Sequence, residues 1–170
     1  PEPVPDRGRS DATVKTLKIP EFPSRGVASW TDPQAAPGAA CRRRIFAATI
    51  ESRLFAIDAA TGRACRDFGR AGEVDLREGV GQIQGGEFVE FTISSPPTGV
   101  GELVIVGSAI ADNRRVDMPK GIVRAYHARS GALRWAWDPI PRSQDDPAHA
   151  EWRSGEGGGR GRPHTPAGPH

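Results

Sequence analysis

The stretch RLFAIDAATGRACRDF, Arg53 to Phe68, decides how the rest of the chain is read. Its first six residues are mostly apolar and short enough for a strand, and they stop at AATG. There Gly62 can take the positive φ of a tight turn, and the Thr61 hydroxyl can hydrogen-bond the turn backbone. Upstream lies a second apolar run, IFAATI at 45 to 50, and downstream RACRDF reads as a returning segment. The order strand, strand, turn, strand is that of an antiparallel sheet.

A looser copy, GIVRAYHARSGALRWAW, runs from Gly121 to Trp137. Placing Gly131 on Gly62 also matches Ala125 with Ala56, Ala128 with Ala59 and Ser130 with Thr61. Each copy has a small residue, a polar one, an x-[ST]-G turn and then an aromatic suited to packing between sheets. The two glycines are 69 residues apart. A propeller blade repeats at roughly 40–50 residues, so an insertion is expected between them, within 69 to 87. The alternative is an ordinary hairpin that recurs by chance.

Around the copies the pattern stays β-like. Residues 1 to 40 hold seven prolines and read as loop, and GEVDL at 72 to 76 reads as an edge strand or loop. FVEFTI, the breaker SSPPTGVGE and the β-branched LVIVGSAIA follow, then a polar excursion, DNRRVDMPK. No segment sustains a helical period, so the class is all-β.

Composition narrows the function. In 170 residues, 21 Gly and 16 Pro with 36% apolar residues allow one loop-rich domain with a modest core. The 23 basic and 21 acidic residues are interleaved, so no one-signed field points to nucleic acid or an anionic membrane. GGGRGRP near the end lacks the aromatics of an RGG-type segment. No apolar run reaches the roughly 18 residues of a membrane span, and the opening PEPVPDRGRSD lacks a signal-peptide core. The two cysteines have no CxxC spacing, which argues against zinc, and His149, His164 and His170 share no metal-ligand spacing.

The turn A-x-D-A-x-T-G followed by an aromatic resembles the blade motif of the pyrroloquinoline quinone (PQQ) dehydrogenases, whose fold is an eight-bladed β-propeller. SRGVASW at 24 to 30, ISSPP at 93 to 97 and GSAIADN at 107 to 113 resemble, in order and spacing, the membrane-bound glucose, quinate and polyol dehydrogenase branch. The resemblance implies a partial β-propeller of two to three blades over residues 24–154. An irregular segment, 1–23, would precede it and a disordered Gly/Pro/Arg-rich tail, 155–170, would follow.

It also implies site residues. Arg25 would contact the quinone cofactor, because a guanidinium can hold a carboxylate bidentately and stabilise negative quinone oxygens. Ser94 would place a hydroxyl against the cofactor. Asp112 would bind the Ca²⁺ beneath it, a hard cation that takes carboxylate oxygens. Read without the resemblance, these are a solvated loop arginine, a turn serine before a proline pair and an aspartate opening a surface loop. Cys41 and Cys65, a pair that recurs with similar spacing in this branch, would form a disulfide and so imply the periplasm; two buried thiols are the alternative.

Three departures qualify these expectations. His127 stands where the second turn motif would have Asp. The family's catalytic Asp and quinone-contacting Lys belong to later blades, so this chain is expected to hold no catalytic residue and to behave as a fragment. The expected function is a share in oxidising glucose or a related polyol, with electrons passing to membrane ubiquinone. A propeller module serving only protein contacts is the alternative, but it would have no use for RG-x-x-x-W, SSPP and GSxxAD together.

Overall fold

The computed structural model describes residues 26–84, 90–111, 117–141, 145–146 and 148–149. Their secondary structure is ten β-strands in three antiparallel sheets. The chain divides into two compact units, Pro1–Trp137 and Asp138–His170, and all ten strands lie in the first. In the second, Asp138 caps the Ile140 amide and Asp146 the Ala148 amide.

The first sheet is a meander of β1 (Ala28–Thr31), β2 (Arg43–Ala48), β3 (Arg53–Asp58) and β4 (Glu73–Asp75). A two-stranded ribbon pairs β5 (Phe91–Thr92) with β8 (Ala109–Ile110). The second sheet contains β6 (Thr98–Val100), β7 (Leu103–Val106), β9 (Val123–His127) and β10 (Leu133–Trp137), in the order β10-β9-β7-β6. The sheets match strand for strand, β1 with β6, β2 with β7, β3 with β9 and β4 with β10. Registers agree as well: Ile105 faces Ala125 as Phe46 faces Ala56, and Trp137 faces Val123 as Val74 faces Leu54.

The two x-[ST]-G turns close identically. Gly62 donates its amide to the Asp58 carbonyl and Asp58 to Arg63, and Gly131 donates to His127 and His127 to Ala132, all at 2.8 Å. Both glycines are left-handed, with φ of 71° and 70°. Asp58 also caps the Ala60 amide at 2.9 Å, whereas His127 meets the Ser130 amide through Nδ1 at 3.3 Å. Replacing Asp by His thus lengthens the side-chain contact and leaves the backbone turn unchanged.

Four local readings need correction. The 1-to-40 stretch read as loop contains β1. RACRDF is not a strand: it makes a single bridge, Ile57 to Ala64, and then coils. Cys65 and Phe68 are both fully buried, and residues three apart reach the same side only in a turn, not in a strand. The breaker SSPPTGVGE contains the edge strand β6. The extra length of the repeat is also not confined to 69 to 87. Part of it is the β7-to-β9 excursion carrying β8, where the first sheet crosses from β2 to β3 in four residues.

One core cluster joins the sheets, built on Phe46, Leu54, Phe68, Leu76, Val104 and Tyr126. The Phe46 and Phe68 rings lie 5.5 Å apart, tilted at 49°. The disulfide expected from the resemblance is present, with Cys41 and Cys65 Cα atoms 5.7 Å apart. Arg44, 2% exposed, points from β2 towards the second sheet. Its guanidinium donates to the Cys41 carbonyl at 3.1 Å, to the Arg129 carbonyl at 2.7 Å and to Asp67 at 2.5 Å. Beside it Arg129 grips Asp32 bidentately at 2.6 Å and donates to Gln34 at 2.9 Å.

Two predictions follow from this packing. The Gly131 turn is seated on the first sheet: a Cβ there would lie 2.6 Å from the Gly69 amide nitrogen, while one on Gly62 meets no described residue within 4 Å. Gly62→Ala is expected to lose about 1–2 kcal/mol, the cost of a left-handed alanine. Gly131→Ala should lose roughly 1–3 kcal/mol more through the added clash, measured by urea unfolding of both.

The second prediction concerns acid. The Arg129 guanidinium pulls the Asp32 carboxyl from 3.8 down to about 2. A carboxyl lowered by folding stabilises the fold above its unfolded value, and this contribution disappears as pH falls towards the folded value. Melting temperature should therefore drop between pH 4 and pH 2, less steeply in Asp32→Asn. Some slope remains in that variant, because the Arg77 guanidinium also holds Asp75 at about 2 and two amides lower Asp58.

Candidate cofactor site

The three sequence stretches SRGVASW, ISSPP and GSAIADN converge. Gly26 lies against Pro96 so closely that a Cβ on it would fall 2.6 Å from the Pro96 Cβ. The contact continues along the strands, since a Cβ on Gly99 of β6 would lie 3.4 Å from the Ser29 carbonyl of β1. GSAIADN pairs with the two residues that precede ISSPP, since in the ribbon Phe91 faces Ile110 and Thr92 faces Ala109. Beyond its end the Ala111 amide donates to the Glu90 carbonyl at 3.1 Å.

The ribbon is fastened on both sides. Thr92 Oγ1 donates to the Ile50 carbonyl at 3.0 Å, tying β5 to the turn between β2 and β3. A Cβ on Gly121 would lie 3.8 Å from the Ile110 side chain, and Ser108 Oγ donates to the Ile122 carbonyl at 2.9 Å, tying the β8 stretch to the start of β9. Ser94 leaves the ribbon two residues after β5, half-buried, and its hydroxyl bonds to no described residue.

Arg25 and Asp112 lie outside the described residues. Each is the next residue in sequence to a placed neighbour, Arg25 to Gly26 and Asp112 to Ala111. The structure thus sets SRGVASW against ISSPP at Gly26–Pro96 and pairs GSAIADN with the strand that runs into ISSPP, and of the three candidates it describes Ser94. Among the described residues no three His, Cys, Asp or Glu side chains form a metal-binding group.

Sequence reasoning missed two buried arginines that set the surroundings. Arg44 is one. Arg124 of β9 is the other, 4% exposed, donating to the carbonyls of Leu76 and, at 2.9 Å, Glu78. It thereby positions the loop that leads from the first sheet towards the ribbon. Burial lowers the Arg124 pKa and raises that of Tyr126, whose ring lies 6.0 Å from the guanidinium. The available signal was positional: both residues occupy inward strand positions, where a charge demands partners.

A family model for PQQ, described as the glucose/ethanol/alcohol dehydrogenase β-propeller domain, matches residues 7–161. The chain belongs to this family of quinoprotein dehydrogenase propellers. Quinate/shikimate dehydrogenase (quinone) of Acinetobacter baylyi is 46% identical over 99 residues, 58% of this chain and 12% of the relative. The glycerol dehydrogenase large subunit of Gluconobacter oxydans is 41% identical over 114 residues, 67% and 15% respectively. Quinoprotein glucose dehydrogenase of Gluconobacter oxydans is 32% identical over 148 residues, 84% and 17%. The chain thus spans about a sixth or less of the length of these relatives.

The close seat of Gly26 generates a prediction for the site. Gly26→Ala should push β1 off Pro96 and lower stability by roughly 1–3 kcal/mol, the usual cost of overpacking. Equilibrium unfolding in urea checks it, and a change under 0.5 kcal/mol would show the contact to be loose.

Proposed function

We propose that this chain supplies one side of the cofactor pocket of a PQQ-dependent dehydrogenase that oxidises glucose, or a related polyol or alcohol, and passes electrons to a quinone acceptor such as membrane ubiquinone. The observation that carries the reading is the convergence of SRGVASW, ISSPP and GSAIADN around the Gly26–Pro96 contact and the β5–β8 ribbon. These stretches have separate locations in sequence, and a scaffold alone needs only the turn motif.

The donor chemistry fits the cofactor. Arg25 would hold a carboxylate or a reduced quinone oxygen with a two-pronged, permanently charged donor. Ser94 would offer its unengaged hydroxyl to a quinone oxygen. Asp112 would contribute one carboxylate to a Ca²⁺ ion, which needs six to eight oxygen ligands and so draws the rest from elsewhere. Bound PQQ supplies acceptance of the two electrons lost when a substrate CH–OH becomes a carbonyl. This chain's part is to bind and orient, and the base that takes the hydroxyl proton would come from other blades. The Cys41–Cys65 bridge supports an oxidising, periplasmic location.

The incompleteness of the pocket in the isolated chain is tested by assay. The isolated chain, given PQQ, Ca²⁺ and an artificial electron acceptor, is expected to show no oxidation of glucose, glycerol or quinate. A pocket missing its base and most metal ligands lacks the preorganisation that catalysis requires. Cofactor-dependent turnover that disappears in Asp112→Ala would overturn this reading of an incomplete site.

A further inference from the structure

Among the described residues three besides glycines have a left-handed backbone, and Cys41 is one of them, with φ of 58°. Glycine alone takes that region freely, so Cys41 must be held there. Its amide donates to Asp58 Oδ2 at 3.1 Å, and its sulfur is bonded to Cys65. Cys65 is the fixed end of the pair, fully buried with its amide on the Ala56 carbonyl at 2.9 Å, while Cys41 is half-buried. Freedom gained on opening the bond falls to Cys41.

The conformation of Cys41 is felt in the second sheet. Its carbonyl accepts from Arg44 Nε at 3.1 Å, and the same guanidinium donates to the Arg129 carbonyl at 2.7 Å. The next residue, Arg42, receives the Asp32 amide on its carbonyl at 2.7 Å, and Asp32 in turn grips the Arg129 side chain. Arg129 is thus held twice, and both holds lead back to the Cys41 turn. Arg129 adjoins Ser130, whose carbonyl takes the Gly69 amide of the first sheet at 2.9 Å.

We propose that the Cys41–Cys65 bond is a redox latch on the junction between the two sheets: closed, it keeps Cys41 left-handed and Arg129 held, and opened by a dithiol it releases both holds. One thiolate of the dithiol attacks the sulfur of Cys41, the less buried partner; the S–S electron pair leaves on Cys65, which takes up a proton. The second thiol of the reagent then displaces Cys41, also as a thiol, and the reagent departs as a disulfide. Once Cys41 leaves the left-handed region, Arg44 Nε loses its acceptor, a state that a guanidinium out of water tolerates poorly. Neither cysteine lies in one of the ten strands, so each sheet keeps its own ladder. The sheets lock together in oxidising surroundings and loosen in reducing ones. This inference stands on the junction and does not depend on the cofactor reading.

The test is nitrogen-15 NMR of the folded chain, oxidised and then held reduced with dithiothreitol. The Arg44 Nε–H and the Gly69 amide are expected to lose their hydrogen-bonded shifts on reduction, while the ladder amides of β2 and β3 stay in place. Two double variants separate a latch from a plain cross-link. Cys41→Gly with Cys65→Ala has no bond but a residue at ease with positive φ, so it should keep both signals where the oxidised chain has them. Cys41→Ala with Cys65→Ala carries the left-handed penalty and should match the reduced chain. A bond that acts only by constraining the unfolded chain would leave the two variants alike, and that result overturns the proposal. Signals unmoved by reduction overturn it too, as does a reduced chain whose β2 and β3 amides collapse together with Gly69.

Discussion

The buried guanidinium of Arg44 is the constraint to which the rest of the first unit conforms. A charge taken out of water is tolerated only when its donors are met, and Arg44 meets them from three separate segments: Cys41, Asp67 and Arg129. Two of these belong to the first sheet's loops and the third to the turn of the second sheet. Satisfying one side chain thus fixes how the two sheets face each other. The Trp30 ring, 5.9 Å from the guanidinium, closes the remaining side. The disulfide acts on the same point, because Cys41 provides one acceptor itself and Cys65 anchors the loop that carries Asp67.

Once the sheets are fixed, the site follows from what is inserted between their strands. The β5 segment lies between β4 and β6, and the β8 segment between β7 and β9. Neither has a place in a four-stranded sheet, so each pairs with the other and the ribbon spans the junction. The SSPP segment then turns from the ribbon into β6, beside β1, where Gly26 leaves room for Pro96. The fold supplies a rigid scaffold and the insertions carry the candidate functional groups, a common division of labour in loop-bearing β folds.

The turn motif was legible because its chemistry is local. Positive φ at Gly62 and Gly131, and the hydroxyls of Thr61 and Ser130, act within five residues and need no distant partner. The all-β class was legible for the same reason, through short β-branched runs and frequent breakers. RACRDF misled because alternation cannot reveal that Cys65 and Phe68 both turn inward over Phe46. β1 was hidden among prolines, since its strand character comes from pairing with β2 rather than from its own four residues.

Sequence by itself determined the class of the fold and the repeat with its two glycine turns, whereas the three stretches that mark the candidate site stood out only through their resemblance to a family. The class and the repeat rest on short-range patterns of residue type, which survive without knowledge of neighbours in space. Tertiary structure alone decided that Gly26 meets Pro96, that Arg44 and Arg124 are buried, and that the Gly131 turn is seated on the first sheet. These are outcomes of pairing and packing between residues up to 97 positions apart, as Asp32 and Arg129 are, and no local pattern encodes such a distance.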